Sequence, residues 1–116
     1  TYDIRALITI PANVTVKGRG WNTILKLGNN INQSVLKNAD TTNGNNNIHI
    51  LDLAIDMNAS NNTTITGKLA VSLWKSSNCS IERLKVSNLR HVQYQGNGGI
   101  GFNSMINFYN FFRSLS

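Results

Sequence analysis

Two ten-residue stretches of this chain superimpose position by position, and that repeat constrains the fold more than any other feature. They are Asn47-Ile48-His49-Ile50-Leu51-Asp52-Leu53-Ala54-Ile55-Asp56 and Asn78-Cys79-Ser80-Ile81-Glu82-Arg83-Leu84-Lys85-Val86-Ser87. Each apolar residue that alternation turns inward has a counterpart 31 residues on: Ile48 with Cys79, Ile50 with Ile81, Leu53 with Leu84, and Ile55 with Val86. A period of two sends successive side chains to opposite faces of a strand. A unit of this kind cannot bury its apolar face alone, so copies must stack. Weaker copies begin at Asn13-Val14-Thr15-Val16 and at Asn103-Ser104-Met105-Ile106, and the spacing between units is irregular.

The rest of the chain reads the same way. Bursts such as Leu7-Ile8-Thr9-Ile10, Ile24-Leu25-Lys26-Leu27 and Val71-Ser72-Leu73 are separated by Gly28-Asn29-Asn30, Asn43-Gly44-Asn45-Asn46-Asn47 and Asn58-Ala59-Ser60-Asn61-Asn62. Nineteen asparagines, ten serines and nine threonines in 116 residues supply side chains that compete with helical backbone bonding and favour turns. No stretch carries a helical period, which argues against a bundle. At 41% hydrophobic and 14% charged, the composition excludes a charged disordered tail or a charge-laced coiled coil. The length fits a single domain over 1–116, with units starting near 13, 47, 78 and 103. The chain opens at Thr1 without a basic-then-apolar leader, and we read it as a piece of something longer.

Propeller blades and leucine-rich repeats keep a nearly constant length, whereas the loops of a parallel β-helix can grow outward. The irregular spacing therefore predicts an all-β solenoid, a parallel β-helix of about three to four coils cut from a longer stack. Each coil is expected to hold three short strands, as at 48–50, 53–55 and 69–73, with 58–66 as an outward loop. Stacking at about 4.8 Å then predicts an asparagine ladder through Asn13, Asn47, Asn78 and Asn103, with Asp52 facing Arg83 and His49 beside Ser80. The segment Ile106-Asn107-Phe108-Tyr109-Asn110-Phe111-Phe112 holds four of the nine aromatic residues. It is expected to cover a strand edge, to form a homo-oligomer contact, or to mark a truncation.

At this point the residues resemble a known family, the pectate-lyase-like right-handed parallel β-helix superfamily of polysaccharide lyases, glycoside hydrolases and phage tailspikes. The likeness covers about Ile8 to Gly99. It is carried by Ile10-Pro11-Ala12-Asn13-Val14-Thr15-Val16-Lys17-Gly18-Arg19-Gly20 with Thr23-Ile24-Leu25, by Asn47-Ile48-His49-Ile50 with Leu53-Ala54-Ile55-Asp56, and by Asn78-Cys79-Ser80-Ile81. These pieces imply a right-handed coil and an early position in it. They bring no catalytic residue with them, and the family's amino-terminal capping helix and later coils have no counterpart here.

Nucleotide motifs fail. Gly18-Arg19-Gly20 lacks the third glycine of a dinucleotide fingerprint, because position 23 is Thr23, and Gly67-Lys68 is followed by Leu69 rather than Ser or Thr. A lyase acting on a uronate needs a base at the C5 proton and cations that neutralise the carboxylate. Arg83, Lys85 and Arg90, with Asp56, are the candidate catalytic residues, and Trp74, Tyr94 and His91 the candidate substrate contacts. Trp21 is a further aromatic face suited to a sugar ring. Asp52 and Asp56 are spaced for paired carboxylates or calcium ligation, although alternation sends both to the surface. Calcium is the one cofactor this suggests. Cys79 aligns with Ile48 and is expected to be a buried, unreactive thiol.

These residues point to a polysaccharide-binding or polysaccharide-degrading module. The net charge of +6 favours an acidic glycan. The rival reading is a non-catalytic structural element of a virion tailspike, an adhesin or a surface layer. Either reading places the chain outside the cell or on a virion. No apolar run is long enough to span a membrane. Lys and Arg are scattered from Arg5 to Arg113 without a cluster, so nucleic acid ranks behind carbohydrate as a partner.

Overall fold

The computed structural model of the protein describes residues 1–64 and 68–88, and beyond them the backbone of Ile100–Asn103 and Arg113–Leu115. The strands, in chain order, are β1 Tyr2–Ile4, β2 Ile8–Ile10, β3 Thr15–Lys17, β4 Ile24–Leu27, β5 Leu36–Asn38, β6 His49–Asp56, β7 Val71–Trp74, β8 Ser80–Ser87, β9 Ile100–Asn103 and β10 Arg113–Leu115. All pair in parallel, in two sheets. The first runs β1-β4-β6-β8-β10, with β3 also on β6, and the second runs β2-β5-β7-β9. A single 3-10 turn, Ala59–Asn61, interrupts the strands among the described residues, and there no helix is long and apolar enough to cross a membrane.

The sequence repeat sets the register. On β6 and β8, His49 lies opposite Ser80, Ile50 opposite Ile81, Leu53 opposite Leu84 and Ile55 opposite Val86. Their apolar side chains join Leu36, Val71 and Leu73 of the second sheet in one buried cluster. Burying each such side chain is worth about 1.5–3 kcal/mol, which offsets the ordering of a strand that could not stand alone.

The expected right-handed parallel β-helix of three to four coils is not what forms. The described strands make two open parallel sheets, and neither closes into a solenoid. The reason lies in the repeat unit. The segments expected as two strands, 48–50 and 53–55, are halves of the single strand β6, bent at Asp52, where φ is 58°. β8 bends likewise at Arg83, with φ 50°. A unit thus supplies one bent strand to the first sheet and one short strand to the second.

Two further expectations change. Asn103 lies opposite Trp74 in the second sheet and does not continue the row of Asn78. The stretch after Asp56 is no free outward loop: Asn58 and Asn62 are buried, and both tie down the preceding unit. Asn58 Nδ2 donates to the carbonyl of Leu27 at 2.9 Å, and Asn62 Nδ2 donates to that of Gly28 at 3.0 Å. Buried amides earn such positions by satisfying backbone carbonyls at turns. Between Asn13 and Asn47 the ladder forms, with Asn47 Nδ2 donating to Asn13 Oδ1 at 2.9 Å. Asn13, Asn47 and Asn78 all have positive φ, a conformation that asparagine tolerates better than other non-glycine residues. The aromatic segment 106–112 lies outside the described residues.

Candidate functional site

β3 and β4 both pair with β6, but not continuously. Lys17 lies opposite Leu51 and Ile24 opposite Ala54, so Gly18 to Thr23 must fit where β6 spends only Asp52 and Leu53. The surplus residues loop out over the bend. Gly18 N donates to Leu51 O at 3.1 Å, Gly20 N to Asp52 O at 2.8 Å, and Arg19 N to Thr23 Oγ1 at 3.0 Å, so the loop is pinned to the strand beneath it. Gly18 is required there, because an added Cβ would meet the Asp52 carbonyl and the Thr23 side chain.

From this loop Trp21 reaches across β6 to β8. Its indole N–H donates to the carbonyl of Arg83 at 2.9 Å. The span is two strand spacings, about 10 Å. Ala54, which alternation turns to the outer face of β6, is only 5% exposed. Lys85, in register with Ala54, holds its Nζ 5.8 Å from the Trp21 ring centroid, within cation–π range. Trp21 remains 40% exposed.

Around this ring the charges are ordered. The Arg83 guanidinium pairs with both oxygens of Asp52, through Nε to Oδ1 and through Nη2 to Oδ2 at 3.2 Å, and its Nη1 lies 3.8 Å from Glu82. The Arg83 hydrogen bond holds the Asp52 carboxyl below its ordinary value, and Lys17 adds to the effect through its field. Arg83 is correspondingly raised, first by its bond to Asp52. Beside the loop, Lys17, Gly18, Arg19, Thr23 and Tyr2 line an open cleft of about 410 Å³.

The structure therefore brings Arg83 and Lys85 together around Trp21 and separates the other candidates from them. Asp56 is a turn residue: its Oδ1 accepts from Asn58 N and from Asn88 Nδ2, both at 2.8 Å. Trp74 stands on β7 in the other sheet, where its indole N–H donates to Ser72 Oγ at 3.1 Å. Arg90, His91 and Tyr94 lie outside the described residues. For calcium the donor set does not fit. Asp52 is occupied by a guanidinium, Asp56 by amides, and no group of three or more His, Cys, Asp or Glu among the described residues is placed to hold a metal ion.

Sequence reasoning named Trp21 but missed what fixes it. Tyr2, Lys17 and Arg19 were also missed as a group. The available signal was the length mismatch between Gly18–Thr23 and the matching span of β6, which forces a loop outward. Compared with known proteins, the chain matches no family model, no curated protein and no solved structure.

Proposed function

We propose that the protein binds an acidic carbohydrate on the outer face of its first sheet, with Trp21, Lys85 and Arg83 forming the contact surface. The carrying observation is the half-exposed Trp21 ring, fixed by its bond to Arg83 O and bordered by the Lys85 ammonium. A rigid indole offers a flat apolar face to the C–H side of a pyranose ring at little entropic cost, and an adjacent cation suits a uronate carboxylate. Glu82, whose carboxylate lies 3.8 Å from Arg83 Nη1, can accept hydroxyl donors, which sugars carry in abundance and a DNA backbone lacks. Asp52 is engaged by the Arg83 guanidinium through both oxygens, which makes it a weaker base than a free carboxylate. Such a role suits a secreted or virion-surface location.

Calorimetric titration with an oligouronate, and with a neutral oligosaccharide of equal length, tests this. Preference for the oligouronate, weakening with salt and lost in Trp21→Ala and Lys85→Ala, is the expected result. Equal affinity for both ligands, or none for either, overturns the reading. Release of unsaturated or reducing ends from the oligouronate would replace binding with catalysis.

A further inference from the structure

We infer that Asn43-Gly44 is a self-modification site, a deamidation site that Asp40 holds shut while the turn 40–44 is closed and that reacts, with no enzyme needed, once the turn opens. The sequence holds two Asn-Gly pairs, Asn43-Gly44 and Asn97-Gly98, and the second lies outside the described residues. Deamidation at such a pair is intramolecular. The backbone nitrogen of the glycine loses its proton and attacks the asparagine Cγ, the Cγ–Nδ2 bond breaks and ammonia leaves, and water then opens the cyclic imide to an aspartyl or isoaspartyl linkage. Glycine speeds the step because it puts no Cβ in the way of ring closure.

Asp40 restrains both the nucleophile and the leaving group. Its carbonyl accepts from Gly44 N, the nucleophile, at 2.9 Å, and its Oδ2 accepts from Asn43 Nδ2, the leaving group, at 3.3 Å. Its Oδ1 accepts from Thr42 N at 3.0 Å and from Asn43 N at 2.9 Å, which fixes the backbone between them. An amide hydrogen held in such a bond is released only by local opening, and the same opening must precede attack. Asn43 is itself exposed, so water reaches it without further change. Gly44 cannot be exchanged to remove the hazard: its φ is 90°, and an added Cβ would fall on the Lys75 carbonyl oxygen. The products fit no better. An isoaspartyl link inserts a methylene into a backbone packed against Lys75, just ahead of Asn45, whose N–H donates to Ser76 Oγ at 3.3 Å and whose Oδ1 accepts from Asp40 N at 2.7 Å. An aspartyl link sets a second carboxylate against Asp40 in place of a donor. Either product keeps the turn from closing again, so the change runs one way and adds negative charge.

The test incubates the whole chain at mildly alkaline pH, in buffer and in guanidinium chloride, and follows the tryptic peptides 38–68 and 91–113, each with one Asn-Gly pair, by mass spectrometry. In guanidinium chloride both should deamidate at similar rates. In buffer the rate at Asn43 should fall at least about tenfold. Asp40→Ala should restore most of the lost rate at Asn43 in buffer, with circular dichroism confirming that the variant is folded; Asp40→Asn, which keeps an acceptor for Asn43 N, should lie between the two and decides the matter should the alanine variant not fold. Chain modified at Asn43, separated by ion exchange, should melt below the unmodified chain. Equal rates at Asn43 in buffer and in guanidinium chloride, a folded Asp40 variant that deamidates no faster than the wild type, or a modified chain that melts with the unmodified one overturns the proposal.

Discussion

Asp52 and Arg83 hold equivalent places in successive strands, each at the bend of its strand and each with positive φ, and their side chains pair with one another across the sheet. The same residues that bend β6 and β8 thus also fix the partner of the Trp21 indole, since Arg83 presents its carbonyl to that ring.

A pH dependence follows. Asp52 is lowered from its ordinary value of 3.8 by the Arg83 hydrogen bond, so the folded state favours the ionised form. The stability this supplies is fully present above 3.8 and is lost as pH falls through the lower folded value. Asp40 behaves alike, because the backbone N–H of Asn43 holds its carboxylate down. Urea midpoints measured from about pH 6 to about pH 3 should fall less steeply in Asp52→Asn than in the wild type. An equally steep fall in the variant would show that the pair contributes nothing to acid sensitivity.

Gly18 and Gly20 should fail differently when replaced by alanine. A Cβ at Gly18 collides with the Asp52 carbonyl and with Thr23, so Gly18→Ala must displace the loop from β6, at about 1–3 kcal/mol. Gly20 has open space around it but a φ of 116°, so Gly20→Ala carries only backbone strain, of order 1–3 kcal/mol. Only the first should also change the Trp21 emission maximum, because only the first pushes the loop off its strand. Identical spectra for the two variants would contradict the geometry.

Asn47 combines a φ of 63° with a side-chain bond to Asn13, so two effects can be separated. Asn47→Ala loses both the bond and the residue's tolerance of that conformation, at about 1–3 kcal/mol. Asn47→Gly loses only the bond and should cost about 0.5–1.5 kcal/mol. Thermal melts in which alanine proves no worse than glycine would remove the conformational explanation.

What the sequence made legible was local and periodic. Register between β6 and β8, the Asp52–Arg83 pair, the His49–Ser80 contact at 2.7 Å and the first rung of the asparagine ladder all follow from aligning two stretches of equal length. The architecture did not follow, because a turn residue inside an alternating run can either end a strand or bend it. At Asp52 and Arg83 the backbone turns left-handed for one residue and then rejoins the ladder, so one strand stands where two were expected. The site was half legible for a similar reason. Lys85 and Arg83 lie within the regular repeat, whereas Trp21 acts from a loop whose reach depends on a mismatch between β6 and its neighbours.

Cys79 offers a probe of opening in the middle of this core. Its side chain is fully buried opposite the first sheet's repeat, and burial raises its thiol above the ordinary value, so little thiolate is present and none is accessible in the closed state. An aromatic disulfide reagent at about pH 8 should therefore leave the folded chain unmodified on the timescale at which it labels the urea-unfolded chain. Slow labelling in buffer then reports the free energy of opening. Ile81 is also fully buried, in the same cluster as Cys79 and two residues on, so Ile81→Ala should lower that free energy by about 2–5 kcal/mol. Since each 1.4 kcal/mol is a factor of ten in the open population, labelling of Cys79 in Ile81→Ala should accelerate by at least about thirtyfold. Fast labelling of the wild type in buffer would mean that the cluster joining the two sheets opens far more readily than its burial implies, and that the repeat register alone does not hold it shut.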